Sequence, residues 1–258
     1  MNHALKWNLI IICLLMCLST ALLNGVVTEG EKLTFSINYG IIKAAEATLE
    51  TQSDILFDRP VWVITSRART YPFFDSVFKV RDIVQSWWDK ENLHALRFSK
   101  RLSEGKYKQY RVHTYDHENQ SSIYQSWNFK KQEFKTKQIK IPSGTQDILS
   151  AFYSVRQLNL IPGSKTMVDI TVDGNTYRTE VVVHRRETIN SIFGKMECLV
   201  IEPKLKSEGV FKQSGRILIW VTDDQYKVPL KMTSQITFGA FTAIIRAAEN
   251  VPYTILQK

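Results

Sequence analysis

Leu33-Thr34-Phe35-Ser36-Ile37-Asn38-Tyr39 decides the fold, because every odd position in it is apolar and every even position polar. Successive side chains of a strand point to opposite faces, so this stretch is a strand with one face on a core and one in water. Gly40 ends it, and residues 41–51 begin a second strand in which Ala44, Ala45 and Ala47 permit close approach. The pattern repeats at 61–71, closed by Pro72. After a short helical or irregular connection over 73–78 it continues at 83–89, 93–102, 107–115, 122–129 and 134–141. The separators Lys90-Glu91-Asn92, Glu104-Gly105 and 116–120 are short and rich in turn formers, which favours antiparallel hairpins.

One segment breaks the alternation. Ile148, Leu149, Phe152, Val155 and Leu158 recur at helical spacing, with Thr145 as the expected N-cap and Asp147 suited to the positive end of a helix. Pro162-Gly163 stops the continuation. Strands resume at 166–172, turn at Asp173-Gly174, and continue at 177–184, 196–202, 216–222, 228–238 and 241–248. The expected fold class is therefore mainly β. It is one large curved antiparallel sheet of about thirteen strands, an open or nearly closed barrel, with one helix (about 145–160) packed in or across its concave side. The alternative is a split into two sheets at Pro142-Ser143-Gly144, giving halves 28–141 and 145–258.

The N-terminus places this domain. Lys6 precedes an apolar run from Asn8 to Leu18, followed by the small residues Ser19, Thr20 and Ala21. An 11-residue apolar run is far short of the roughly 20 residues that span a bilayer. Residues 1–24 read as a cleaved signal peptide and 25–258 as a single exported domain, with the periplasm as its destination. Met16 stands before Cys17, where a lipoprotein signal carries Gly, Ala or Ser, so a lipid anchor is not expected. Cys13 and Cys17 leave with the signal, and Cys198 remains in an apolar strand as an inert buried thiol.

The formal net charge of +9 falls unevenly: Lys100 to Lys140 holds ten basic residues against four acids. An exported chain meets little nucleic acid, so an anionic membrane surface or acidic glycans are the expected partners of that segment, or it is simply a solvated face.

Several segments in combination resemble a family of exported bacterial proteins of a domain of unknown function. They are Gly30-Glu31-Lys32-Leu33-Thr34-Phe35 with Tyr39-Gly40, the Ala44-Ala45-Glu46-Ala47 strand, Asp147-Ile148-Leu149-Ser150-Ala151-Phe152-Tyr153 with Arg156, Ile219-Trp220-Val221-Thr222-Asp223-Asp224, Val228-Pro229-Leu230, and Phe238-Gly239-Ala240. The resemblance runs from about Gly30 to Ile245. It implies an antiparallel half-barrel, related in shape to envelope lipoprotein carriers and capsule-assembly accessory proteins, and it carries no catalytic residues.

No constellation of catalytic residues stands out, and no cofactor or metal is implied. Asp223-Asp224 reads as a turn opener between two strands more readily than as a cation site. His113 and His117, four apart on a strand, would lie roughly 13 Å from each other, and no HExxH helix, G-x-S-x-G elbow or phosphate loop occurs. His94 and His184 stand alone. The aromatic residues are the better lead. Trp87-Trp88 puts one indole on each face of its strand, and Trp62, Trp127 and Trp220 are further strand tryptophans. Aromatics lining a concavity grip acyl chains or sugars, although core filling uses the same residues. Arg67 and Arg69 share one strand face and would clamp a phosphate or carboxylate if that face were inward.

The expected ligand-binding residues are therefore Trp62, Arg67, Arg69, Trp87, Trp88 and Trp127. The expected function is a non-enzymatic exported carrier of a lipid or lipid-linked glycan of the cell envelope. The alternatives are an assembly partner of an envelope complex without small ligand, and, weakest, a hydrolase or lyase acting on glycans through paired carboxylates.

Overall fold

The computed structural model describes residues 27–204, 215–235 and 239–256; the signal segment lies outside the described residues, as does the 236–238 end of one expected strand. Among the described residues, fourteen strands form one antiparallel sheet. The first half climbs and descends as β1 (Lys32–Tyr39), β2 (Ile42–Leu56), β3 (Arg59–Thr70), helix α1 (Pro72–Phe78), β4 (Arg81–Asp89), β5 (Ala95–Glu104), β6 (Tyr107–Asp116), β7 (Ser121–Asn128) and β8 (Glu133–Lys140). Helix α2 (Ile148–Arg156) follows, then β9 (Lys165–Val172), β10 (Asn175–Ser191), β11 (Gly194–Lys204), β12 (Ile217–Thr222), β13 (Pro229–Gln235) and β14 (Ala240–Glu249).

The spatial order runs from β8 back to β1, then from β14 back to β9. The first and last strands therefore pair at the centre, with Lys32 opposite Glu249 and Tyr39 opposite Phe241. The sheet is single, as expected, and the alternative of two sheets divided at Pro142-Ser143-Gly144 does not occur. Its edges, β8 and β9, are not paired with each other, and the barrel is open. Register shifts at Thr34/Phe35, Ile37/Asn38, Trp87/Trp88, Val183/Arg185 and Trp220/Val221 mark bulges, which bend a sheet and increase its twist.

The curl is held from inside. The β9–β10 turn, Asp173-Gly174, reaches across to the inner face of β5 and β6. There Lys100 Nζ lies 2.6 Å and Arg111 2.8 Å from the Asp173 carboxylate. Gly174 N–H donates to His113 Nε2 (3.1 Å), and Tyr115 O–H donates to Thr171 O (2.8 Å). At the seam, the chain before α2 bonds along β9 through Gln146 N–H to Asp169 O and Thr171 N–H to Gln146 O, both 2.8 Å.

Helix α2 is shorter than expected, and its cap is Asp147. The Asp147 carboxylate accepts from Leu149 N–H (2.8 Å) and Ser150 N–H (3.0 Å), while Asp147 N–H donates back to Ser150 Oγ (2.9 Å). Thr145 cannot serve, because its hydroxyl is engaged with Thr171 Oγ1 (2.8 Å) and Gln146 is still paired with β9. At the other end, Gln157 and Leu158 bond back three residues and tighten the last turn, leaving Leu158 exposed.

The helix is anchored by ions. Arg156 and Glu31, each 1% exposed, form a two-pronged pair at 2.7 and 2.8 Å. Tyr153 O–H donates to Glu31 (3.1 Å), and Arg156 also donates to Tyr226 O in the β12–β13 turn (3.0 and 3.2 Å). Removing one partner of such a pair strands a charge in the core and costs about 3–5 kcal/mol. Arg156→Met should therefore lower the unfolding free energy measured in urea by an amount in that range, at constant m-value. Glu31→Gln combined with Arg156→Met should recover most of the loss, and purely additive losses would rule out the pairing.

Candidate functional site

Helix α2 is covered to different degrees along its length. Ser150, Ala151, Tyr153, Val155 and Arg156 are buried, whereas Leu149 and Phe152 are only partly covered and face a hollow. Two cavities flank them, of about 230 and 250 Å³, and both are lined by Leu149, Phe152, Ile219 and Met232. They form one trough. One wall is Val168, Ile170, Val181 and Ile201, and the other is Phe35, Ile37, Ala47 and Ala243. Its polar lining is sparse: Thr48, Ser66, Thr179 and Lys231, whose ammonium lies 4.4 Å above the Trp220 ring.

The helix closes one end of the trough. Its N-terminus is tied to β4, where Ser86 Oγ donates to Asp147 (2.5 Å), and its C-terminus to Glu31 and Tyr226. From there the lining runs toward Ile37, Pro203 and Ile217, at the ends of β1, β11 and β12 farthest from the helix. Met232 is 40% exposed, so the trough reaches solvent. Protein interiors rarely leave apolar space of this size unfilled.

The six residues singled out by sequence are spread over both faces. Trp62 and Trp88 pair across β3 and β4 on the inner face. Trp88 is fully buried, 6.4 Å from Tyr153, and Trp62 packs on the same cluster with Lys90 Nζ 3.8 Å above its ring. Both stand behind Leu149 and Phe152, outside the trough lining. Trp87 is on the outer face under Arg97 (5.4 Å), and Trp127, also outside, packs edge-on against Phe134 (4.9 Å). Arg67 and Arg69 point outward too, to Glu50 (3.5 Å) and Glu46 (2.9 Å). Alternation identified which residues share a face, but nothing in it distinguishes inside from outside. The trough lining was legible only as the apolar positions of β1 and the stripe of α2.

Other groups sort clearly. Asp224 accepts from Thr222 Oγ1 and from the N–H groups of Tyr226 and Lys227, so Asp223-Asp224 opens a turn. Burial pushes the Cys198 thiol up to about 12, the mark of an inert sulfur. Asp82 and Glu104 share a hydrogen bond, and burial raises both carboxyls. That contact leaves no room for the water-sized gap of roughly 5–9 Å that glycoside hydrolysis requires. Among the described residues no group of three or more His, Cys, Asp or Glu could hold a metal.

Sequence missed a histidine ladder. His94 and His117 stack at 3.7 Å, and His113 stacks with Tyr115 (5.5 Å) and tilts against Tyr124 (4.8 Å). His117 accepts from Gly144 N–H (3.2 Å) and His113 from Gly174 N–H (3.1 Å), so each fastens a turn at the seam with a bare ring nitrogen. Both are therefore neutral.

These features define a class: an open, up-and-down antiparallel barrel stoppered at one end by a helix, with an apolar trough inside. The chain belongs to the family described as "Protein of unknown function (DUF3108)", whose model matches residues 34–246. No curated protein matches it. Among solved structures, the beta-barrel-like protein of a domain of unknown function, DUF1849, from Brucella abortus is 11% identical at a TM-score of 0.55, covering 88% of this chain and 99% of that one. That likeness is one of fold. A protein described as a lipoprotein from Parabacteroides distasonis is 7% identical over 87% of this chain and 97% of that one, at a TM-score of 0.33.

The ladder generates a pH dependence. Burial lowers His94 and His113 from 6.5 to about 4. Between those values each is charged in the unfolded chain and neutral in the fold, so its contribution is full above about 6.5 and lost as pH falls. Asp147 opposes this: burial raises it from 3.8 to about 6, so its contribution is full below 3.8 and lost as pH rises through 6. Two histidines outweigh one aspartate. The urea midpoint should fall between about pH 6.5 and 4.5, less steeply in His113→Gln and more steeply in Asp147→Asn. A flat wild-type profile would contradict the neutral ladder.

Proposed function

We propose that this protein is an exported, non-enzymatic carrier that holds the apolar part of an envelope lipid or lipid-linked glycan in the trough beside α2. The observation that carries this reading is the shared lining of the two cavities by Leu149, Phe152, Ile219 and Met232. Each hollow, at about 230 and 250 Å³, is a little below the roughly 300–1,000 Å³ of small-molecule pockets, and the two adjoin across those four residues. Their few polar groups suit an acyl chain better than a sugar. The signal-like residues 1–24 support delivery to the periplasm. A second reading, an assembly partner that docks by strand addition, is favoured by β8, an edge strand with seven of its eight residues exposed.

A naturally fluorescent fatty acid titrated into the purified protein tests the first reading. Saturable binding is expected, and Ile219→Trp or Met232→Trp should fill the trough and weaken it about tenfold, roughly 1.4 kcal/mol, with little change in Tm. Binding unaffected by both changes would place the probe elsewhere. No binding at all would move the weight to the assembly reading.

A further inference from the structure

Large exposed apolar side chains gather at one end of the barrel. Because the strands alternate in direction, the β1–β2 turn, α1, the β5–β6 turn and the β7–β8 turn all lie at the end opposite α2. They touch in sequence. Tyr71 N–H donates to Ala44 O (3.1 Å) and Gly105 N–H to Lys79 O (2.8 Å), while Phe129 shares an outer groove with Leu102 and Lys108. A methyl group on Gly105 would sit 3.0 Å from the Phe78 ring, which shows how closely the β5–β6 turn abuts the helix. Helix α1 has no buried residue. Ile41 is 100% exposed, Phe73 and Val77 78%, and Phe78 54%.

The same collar is basic. Lys43, Lys79, Lys106, Lys108, Lys130 and Lys131 are exposed, and none makes an ion pair among the described residues. Of the acids there, Asp75 is held by Arg81 and Thr70, Glu104 is bonded to Asp82, and Glu133 is left to oppose six lysines.

We propose that this collar is a docking surface for anionic phospholipid bilayers, which seats the end of the barrel away from α2 on the leaflet. Exposed Phe, Ile and Val tips suit the headgroup–acyl boundary, and unpaired lysines around them suit a negative surface. A second copy of this chain is the poorer occupant, because a two-fold contact would bring the lysine rings together. The inference goes beyond the carrier reading and stands without it, since the collar residues do not line the trough.

The test is vesicle flotation of the chain from residue 25 onward, which omits the apolar residues 8–18, with phosphatidylcholine vesicles made with and without phosphatidylglycerol. The protein should float only with the anionic vesicles, and less as salt rises. Phe73→Asp with Val77→Asp, and separately Lys106→Glu with Lys130→Glu, should each cut the bound fraction about tenfold with unchanged Tm. Equal binding to neutral vesicles, flotation untouched by the variants, or no flotation would overturn the proposal. So would a dimer lost on Phe73→Asp without vesicle binding. Fatty-acid titration of the same variants should be normal, so failure of docking and failure of the carrier reading remain distinguishable.

Discussion

The buried pair between Glu31 and Arg156 is the constraint on which the rest of the structure depends. It joins the segment before β1, the last turn of α2 and the β12–β13 turn, groups separated by 125 residues between the two ions alone. A charge pair at 1% exposure is tolerable only when its hydrogen-bonding capacity is met. Here both carboxylate oxygens and the guanidinium are engaged, with Tyr153 and the Tyr226 carbonyl completing the set. Cys198 is the one cysteine among the described residues and it is free, so this network and the Lys100–Asp173–Arg111 cluster do the work of a cross-link between distant parts of the sheet.

That anchoring has a consequence for packing. Helix α2 is pinned at both ends, by its polar cap at Ser86 and its ion pair at Glu31, while Ala151, Tyr153 and Val155 pack into the core. Leu149 and Phe152, packed on one flank against Ile64 and Trp88, also line the open space beside the helix. Those two polar contacts fix where the helix sits beside the trough.

Much of the architecture was legible because one face of nearly every strand meets the core, and period-two alternation records that directly. Asp173-Gly174 marked its hairpin by turn chemistry alone. The positions that misled were those where distant contacts decide. Thr145 looked like a cap until β9 engaged its hydroxyl, and alternation set Trp87 and Trp88 on opposite faces without telling that Trp88 is the one buried against Tyr153 and Trp87 the one under Arg97. The stacking of His94 on His117 joins two hairpin ends that no local pattern connects. Arg156, a charge in the last turn of a helix, gave no sign of being the most constrained ion in the molecule.

The central claim is that the space beside α2 is kept open for an apolar guest. Native mass spectrometry of the protein isolated gently from the exported fraction, followed by organic extraction and lipid analysis, tests it most directly. A reproducible added mass that disappears on extraction, and is regained from total lipid extract, is the predicted result. A clean apo mass that stays unchanged after incubation with that extract would contradict it.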